Sequence, residues 1–311
     1  MDYTLSDDQR ALVEGVDALL LRHAGAQLPE TFVYYDAALA GELREAGFLD
    51  VARMEGFGAL DAALVLERIA RLPHCVEAAT TMLVLPRLGL ELDGPIAITS
   101  EKLLARPIRF LPVAQHLLIE GNDGAAYVMA IGPDTVEPIE TIIGYPYGRL
   151  RALPDLAAMQ RLDDGAGAVL RQWHQVGFAL EGVSAAASAH LHTLEYVRER
   201  MVFGRPVGAF QAVQHRLALC LELIQGARWL ALKAAFSGDP ADAALAATRL
   251  QSAIPQLVWD LHQFNGAQSW TLSNPLHFWT FRLRALQSEL GGANQSALAA
   301  AEALWPRRAR A

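Results

Sequence analysis

Residues 195–215 read EYVRERMVFGRPVGAFQAVQH and connect two long segments of helical character. The segments span about residues 165–201 and 208–236, and both carry sustained apolar periodicity with small residues between the larger side chains. Alanine and serine between apolar residues are typical of helices that pack closely in a bundle. Further helices are expected at about residues 240–264, 275–289 and 293–304. The sequence after Pro154 therefore predicts a bundle of long helices.

The N-terminal part of the chain, residues 1–93, is also predicted to be helical. Ser6 and Gln9 form a capping box in front of apolar residues that recur at helical spacing. Three more helices are expected at about residues 36–47, 61–72 and 74–90. Residues 94–153 are different, because short β-type runs alternate there with glycine-containing turns. These runs span residues 96–99, 108–111, 116–119, 127–131 and 139–143.

These patterns predict a mostly α fold with a small central β-sheet domain. The expected domains are an N-terminal helical domain at residues 1–93, a sheet domain at 94–153 and a C-terminal helical bundle at 154–311.

Composition and charge exclude several classes of protein. The chain has 311 residues, of which 52% are apolar and only 19% charged, so it is not disordered. A net charge of -8 argues against nucleic-acid binding, which requires clustered lysine and arginine. The acidic N-terminus lacks the pattern of a secretory signal, and no apolar run approaches a membrane span, so we expect a cytoplasmic protein. Cys75 and Cys220 are expected to be small buried residues.

The stretch at 195–215 is similar to a motif of the acyl-CoA dehydrogenase family, in which tyrosine, arginine, Phe-Gly, proline and glutamine have the same spacing. A weaker similarity covers residues 263–271, followed by residues 275–277 and 282–283, and resembles the family's glutamine- and glycine-rich turn. The resemblance implies the family's fold, with a reduced β domain. It also implies FAD-dependent α,β-dehydrogenation of an acyl-CoA, with electrons passing to an electron-transferring flavoprotein.

The resemblance assigns the cofactor contacts. Arg200 matches an arginine that reaches the flavin nucleotide of the neighbouring subunit, with Phe203 and Gln211 beside it. A guanidinium is well suited to a pyrophosphate, although the alternative is a surface arginine paired with Glu195 or Glu199.

Three further positions match cofactor-binding parts of the family. Gln263 and Gly266 correspond to the turn that lets the backbone approach the cofactor, although Asn265 and Ser269 depart from its pattern. Gln295 keeps a polar position of the terminal cofactor loop, and its alternative interpretation is an amide near a helix start with no cofactor role.

The sequence offers no obvious carboxylate to remove the α-proton of the thioester. The family's usual glutamate position falls on Gly291, and its alternative position falls near His174, which is expected to be structural. Glu289 and Glu181 are the weak candidates for a recruited base. In the sheet domain, only Thr99 and Ser100 resemble the family's flavin-ring contacts, and a plain strand end is the favoured interpretation there.

The retained and missing elements together suggest a subunit that completes another subunit's site. The elements kept best are those that the family lends across a dimer interface, whereas the missing ones serve a subunit's own flavin and substrate. The resemblance therefore implies an FAD shared across a subunit interface with a homologous catalytic partner. By analogy, the substrate would be a bulky, steroid-type acyl-CoA. The alternatives are a flavin-free structural or regulatory partner and a self-sufficient dehydrogenase with an unusual base.

Overall fold

A computed structural model describes residues 4–24 and 28–305 of the chain. Helices occupy both ends of this part of the sequence and two small sheets lie between them. The helices are α1 (Asp7–Ala24), α2 (Ala37–Glu45), α3 (Ala59–Ile69), α4 (Leu85–Leu88), α5 (Ala166–Glu199), α6 (Gln211–Ser237), α7 (Pro240–Asn265), α8 (Leu276–Leu286) and α9 (Gly292–Leu304). None of the helices within residues 4–24 and 28–305 combines the length and the hydropathy that a membrane span requires.

The N-terminal helices mostly follow the sequence pattern. The capping box is present, since the Gln9 backbone N–H donates to Ser6 Oγ and the Ser6 N–H donates to Gln9 Oε1, both at 3.1 Å. The helix predicted over residues 74–90 is present, but it begins later than predicted. The chain around Cys75 is extended and bridges to Tyr35, and only the short π-helix Thr80–Val84 and α4 follow. The buried Glu77 carboxylate stabilises the start of the π-helix, because it accepts a hydrogen bond from the Thr80 N–H at 2.9 Å.

Two sheets form where one was predicted. The first has the strand order β1-β3-β4-β7, in which β1 (Ile96–Ser100) and β3 (His116–Glu120) are parallel and the other pairs are antiparallel. Its other strands are β4 (Ala126–Ala130) and β7 (Gln160–Arg161). The second sheet is antiparallel, in the order β2-β6-β5. Its strands are β2 (Ile108–Arg109), β5 (Val136–Ile139) and β6 (Tyr147–Leu150).

The strand boundaries depart from the sequence prediction in two places. The run predicted at residues 139–143 is displaced, since β5 ends at Ile139. The position of β5 is determined by its pairing with β6, a strand that the sequence pattern did not reveal. In addition, β4 pairs with β7, which lies beyond residue 153. The first sheet therefore includes a strand from the segment that leads into the bundle.

The bundle is built on α5, which is buried for most of its length. It packs between α6, α7 and α8, and close approach to α7 requires a glycine. A Cβ added at Gly182 would lie 2.4 Å from Leu250 Cδ2. Both cysteines are buried and free, because neither forms a disulfide within the described part of the chain.

Arg282 on α8 joins the bundle to the N-terminal helices. Its buried guanidinium donates to the carbonyl oxygens of Leu72 at 2.7 Å, Ala70 at 3.3 Å and His74 at 3.4 Å. These carbonyls follow the end of α3, where no intrahelical donor is left to pair with them. One cationic side chain therefore satisfies the backbone at the junction of two parts of the chain.

We predict that Arg282→Met destabilises the protein by about 3 kcal/mol or more, because it leaves several buried carbonyls unpaired. Arg284→Met on the same helix removes an exposed arginine and is the matched control. Urea unfolding of the two variants and the wild type checks this. Equal midpoints for Arg282→Met and Arg284→Met would show that the carbonyl contacts contribute little.

Candidate functional site

A buried arginine lies at the meeting point of the second sheet and the bundle. Arg109 on β2 is buried, and its Nη1 donates to Glu181 Oε2 on α5 at 2.7 Å. Its Nε lies 3.7 Å from Glu289 Oε2, in the segment between α8 and α9. The guanidinium also lies over the rings of Phe110 and Tyr145, at 4.9 and 4.8 Å from their centroids. Both weak candidates for the base are thus ion-paired with one cation.

His174 completes this group, which we call the Arg109 cluster: Arg109, His174, Glu181 and Glu289. His174 Nε2 lies 3.0 Å from Glu289 Oε1, so the imidazole has a carboxylate partner. Burial raises the pKa of Glu289. Arg109 and His174 lower that pKa by a larger amount, so the pKa of Glu289 lies below its ordinary value. Burial likewise lowers the pKa of Arg109, while the two glutamates raise it well above normal. The arginine therefore remains charged, and Glu289 is an ionised but weak base.

The Arg109 cluster borders a small pocket, here called the central pocket, of about 200 Å³. Arg109, His174 and Glu289 line it together with Thr99 and Ser100 from the end of β1. Ligand pockets for drug-sized molecules usually enclose about 300–1,000 Å³. The central pocket is smaller than that range, and Arg109, His174 and Glu289 on its lining are already paired with one another.

Gly291 occupies the position at which the family resemblance predicts a carboxylate side chain. The backbone conformation at this position disfavours such a residue. It has a φ of +86° and precedes α9. This left-handed conformation favours glycine. A Cβ there would also lie 2.7 Å from Gln295 Cγ. A glutamate at this position would therefore be strained as well as crowded.

Arg200 lies at an open cleft on another face of the bundle. This cleft, the arginine cleft, has a volume of about 540 Å³, and Arg200, Gln263 and Gly266 are among the residues that line it. Arg200 caps the C-terminus of α5, where its backbone N–H donates to the Tyr196 carbonyl at 2.9 Å. Neither alternative partner, Glu195 nor Glu199, forms an ion pair with its side chain. In the described ranges the Arg200 guanidinium has no acidic partner.

Three predicted cofactor residues lie outside the lining of the arginine cleft. Phe203 is on the hairpin of β8 (Met201–Val202) and β9 (Arg205–Pro206), where its side chain is 92% exposed. Gln211 is the exposed first residue of α6, and Gln295 is exposed near the start of α9. Exposure leaves all three side chains accessible to a partner rather than committed within the subunit.

A second arginine, which the sequence pattern did not reveal, also lines the arginine cleft. Arg216 on α6 forms an ion pair with the buried Asp260 of α7, and its guanidinium lies 5.2 Å from the centroid of the Phe264 ring. Asp260 also accepts from Gln256 Nε2 at 2.7 Å. An aspartate on the otherwise apolar face of a helix is a sequence signal for such a basic partner, because buried acids are almost always paired.

Residues 172–298 match the family described as acyl-CoA dehydrogenase, C-terminal domain. The C-terminal helical bundle thus carries the C-terminal domain of acyl-CoA dehydrogenases. Over 292 residues it is 27% identical to acyl-CoA dehydrogenase IpdE2 of Mycolicibacterium smegmatis, an alignment that covers 88% of this chain and 92% of the relative. A shorter similarity, 32% over 101 residues, covers 32% of this chain and 32% of IpdE2 of Mycobacterium tuberculosis.

Solved structures of this family share the fold along nearly the whole chain. A chain of the ChsE4-ChsE5 complex of Mycobacterium tuberculosis aligns with a TM-score of 0.75 and 20% identity, and the alignment covers 99% of this chain and 100% of the other. A chain of the Tcur3481-Tcur3483 steroid ACAD G363A variant aligns with a TM-score of 0.76 and 23% identity, covering 97% and 98%. The predicted fold of helices, a small β region and a helical bundle is confirmed.

The turn that departs from the family pattern keeps its shape through side-chain hydrogen bonds. Asn265 is buried and donates from Nδ2 to Thr193 Oγ1 at 2.8 Å, while Ser269 Oγ donates to the Gly266 carbonyl at 2.7 Å. Gly266 retains a positive φ of 62°. Asn265 and Ser269 are therefore internal braces of this acyl-CoA dehydrogenase turn, and the Gly266 backbone still faces the arginine cleft.

Beside the arginine cleft lies a second one, the aromatic cleft, lined by Trp259, His262 and Trp270 together with Gln263, Gly266 and Ala267. Its indoles are 64% and 74% exposed, for Trp259 and Trp270 respectively. Within residues 4–24 and 28–305, no group of three or more histidine, cysteine or acidic side chains is arranged to hold a metal ion.

We predict that Glu289→Gln destabilises the protein most near neutral pH. The reason is that the lowered pKa of Glu289 means that its charged form is favoured in the folded state. This stabilisation is present above the ordinary pKa of 4.5 and is lost as the pH falls toward the lower folded value. Urea unfolding at pH 7, 5.5 and 4 measures the difference from the wild type. Glu302→Gln, an exposed glutamate on α9, is the control. A difference that grows on acidification would contradict the proposed pairing with Arg109.

Proposed function

We propose that this chain is the subunit without a catalytic base in a heteromeric, FAD-dependent acyl-CoA dehydrogenase. The observation that supports this most directly is a difference between two arginines: within the described residues, Arg109 is ion-paired and Arg200 is not. In the central pocket, Arg109 binds both candidate carboxylates, and position 291 has no side chain. In the arginine cleft, Arg200 faces outward with no acidic partner in the described part of the chain.

The residues of the arginine cleft fit the nucleotide part of FAD. The Arg200 guanidinium supplies positive charge for a pyrophosphate, and Gly266 exposes backbone without a side chain in the way. Gln263 adds a neutral amide donor on the same wall. When bound, FAD accepts the hydride that leaves the β-carbon of the acyl-CoA. This chain would anchor the nucleotide, and a homologous partner would provide the base.

A self-sufficient dehydrogenase fits the geometry less well. A general base for the α-proton needs a free carboxylate within hydrogen-bonding reach of the substrate. Glu181 is buried on its helix and held by Arg109 at 2.7 Å, while Glu289 is shared between Arg109 and His174. Use of either as a base would require an ion pair in a nearly dry environment to break, at a cost of several kcal/mol.

The proposed substrate is a bulky acyl-CoA of steroid type, and the proposed electron acceptor is an electron-transferring flavoprotein. The steroid assignment is supported by one structural relative, the Tcur3481-Tcur3483 protein, which is described as a steroid ACAD. A two-chain assembly is supported by another relative, the ChsE4-ChsE5 complex.

We predict that Arg200→Ala lowers the FAD affinity of the complex with the homologous partner about 10- to 100-fold, because charged hydrogen bonds contribute about 1.5–3 kcal/mol. Arg198→Ala removes an equally charged, exposed residue of the same helix end and is the matched control. Flavin absorbance per complex after gel filtration measures the effect. Arg200→Lys should retain part of the flavin. Unchanged flavin content in Arg200→Ala would exclude the proposed anchoring role.

We also predict that the purified chain alone does not oxidise acyl-CoA, since both of its candidate bases are ion-paired with Arg109. In the complex, Glu289→Gln should keep turnover within a few-fold of the wild type, once circular dichroism shows that it is folded. Flavin bleaching by an acyl-CoA under anaerobic conditions is the readout. Bleaching by the isolated chain that disappears in Glu289→Gln would instead establish a self-sufficient enzyme. Turnover of the partner without this chain would favour a flavin-free structural role.

A further inference from the structure

A pocket of about 230 Å³ lies where α1, α3 and α6 meet, and we call it the N-terminal pocket. It shares no lining residue with the central pocket, the arginine cleft or the aromatic cleft. On its α3 side, the lining changes from Leu60 and Leu64 to Arg68 and Arg71 toward the C-terminal end of the helix. The pocket therefore has an apolar part and a basic part.

Three arginines line the basic part: Arg68 in the last turn of α3, Arg71 two residues beyond that helix, and Arg228 on α6. The buried Glu67 accepts from Arg228 Nε and Nη2 at 2.6 and 2.8 Å, and Arg68 Nε lies 3.7 Å from Asp17 Oδ1. Within residues 4–24 and 28–305, no acidic group lies within ion-pairing distance of the Arg71 guanidinium. Three cations thus share two anions, and one positive charge has no counter-ion.

The electrostatic surroundings of Arg71 are positive. Desolvation is the largest cause that lowers its pKa, and the charges of Arg68 and Arg228 lower it as well. Arg68 has a larger effect than the opposing Glu67, and Arg228 a larger effect than the opposing Asp17. The guanidinium still stays protonated, as arginines in proteins do. A bound anion would relieve this repulsion, and the exposed side chain of Arg71 is accessible to one.

The apolar part of the pocket is formed by all three helices. Leu64 on α3 is 6% exposed, Val13 on α1 is 6% exposed and Leu232 on α6 is 2% exposed. Leu60, one turn before Leu64, is half-buried and adds to the same wall. Such a wall gains free energy when it covers hydrocarbon. A ligand with an anionic group and a short hydrocarbon chain fits both parts of the lining.

Charge and volume restrict this ligand further. One unpaired cation matches a single negative charge, whereas a phosphate monoester carries about -1.5 to -2 at pH 7. A guanidinium also binds a carboxylate through two parallel hydrogen bonds. A water molecule occupies about 30 Å³ in the liquid, so the pocket holds roughly eight non-hydrogen atoms. Hexanoate has this size and this charge.

We propose that the N-terminal pocket binds a free aliphatic carboxylate, with Arg71 as the ligand of the carboxylate group and the leucines and Val13 in contact with the chain. This site goes beyond the proposed function and does not depend on it, because its lining is separate from the arginine cleft. A bound acid contacts α1, α3 and α6 together. It therefore stabilises the packing of the N-terminal helices on the bundle, since a ligand that binds only the folded state stabilises that state.

Isothermal titration of the purified full-length chain with hexanoate tests the role of Arg71. Arg71→Met should weaken binding about 10-fold or more, because it removes charge-assisted hydrogen bonds, and Arg71→Lys should retain part of the affinity. Arg198→Met, which replaces an exposed arginine outside the pocket, is the matched control and should bind normally. Equal affinity of Arg71→Met and the wild type, with unchanged urea midpoints, would overturn the proposal.

A series of ligands tests the apolar wall. Affinity should rise about 2- to 4-fold for each methylene added from acetate to hexanoate, because each one buries further hydrocarbon. Hexan-1-ol has the chain without the charge and should bind at least 10-fold more weakly than hexanoate. Leu60→Gln should weaken hexanoate binding and leave acetate binding unchanged. Equal affinity along the series, or tighter binding of inorganic phosphate than of hexanoate, would refute an aliphatic carboxylate as the ligand.

Thermal unfolding and flavin content separate this inference from the proposed function. Hexanoate should raise the unfolding midpoint of the wild type but not that of Arg71→Met, which should keep the full flavin content of the complex. If Arg200→Ala kept its flavin while hexanoate binding depended on Arg71, the proposed function would fail and this site would stand. Absence of hexanoate binding by the wild type, with flavin lost in Arg200→Ala, would refute this site and leave the proposed function supported.

Discussion

Arg109 is the charge on which the junction between the second sheet and the helical bundle depends. A buried guanidinium is tolerated only when anions and hydrogen-bond acceptors surround it, and here Glu181 and Glu289 come from two separate elements of the bundle. Removing one partner from such a group typically costs about 3–5 kcal/mol, because it leaves an uncompensated charge. The same pairing that holds the junction together makes both carboxylates poorly suited to act as bases. Under the proposed function, structural stability and the lack of a base thus have one cause.

The two faces of the chain differ in how their polar groups are satisfied. At the central pocket, Arg109, His174 and Glu289 are paired with one another, and Gly291, two residues after Glu289, has no side chain. Around the turn at Gly266, which lines both the arginine cleft and the aromatic cleft, Arg200 and two exposed indoles face outward. Exposed aromatic groups clustered on a rigid turn typically mark a surface that binds something. This asymmetry is what a subunit that completes another subunit's site requires.

Much of the fold was predictable, and the exceptions share a physical reason. The long helices were predicted because their apolar periodicity persists for many turns, and the Ser6 capping box formed as expected. The late start of the helix predicted over residues 74–90 and the existence of strand β6 were not predicted, because each is decided by distant partners. Pairing with Tyr35 extends the chain at Cys75, and pairing with β5 creates β6. Local propensity carries no information about such long-range bonds.

The sequence by itself determined the similarity of residues 172–298 to acyl-CoA dehydrogenases, the order of helices and sheets, the motif that contains Arg200, and the absence of a carboxylate at Gly291. These depend on residue types at fixed spacing along the chain. Only the tertiary structure decided that Glu181 and Glu289, separated by more than one hundred residues, are bound to one arginine. It alone placed Arg216 and Trp270 on either side of the same turn. The reason is that ion pairing and cleft formation depend on how elements pack in space.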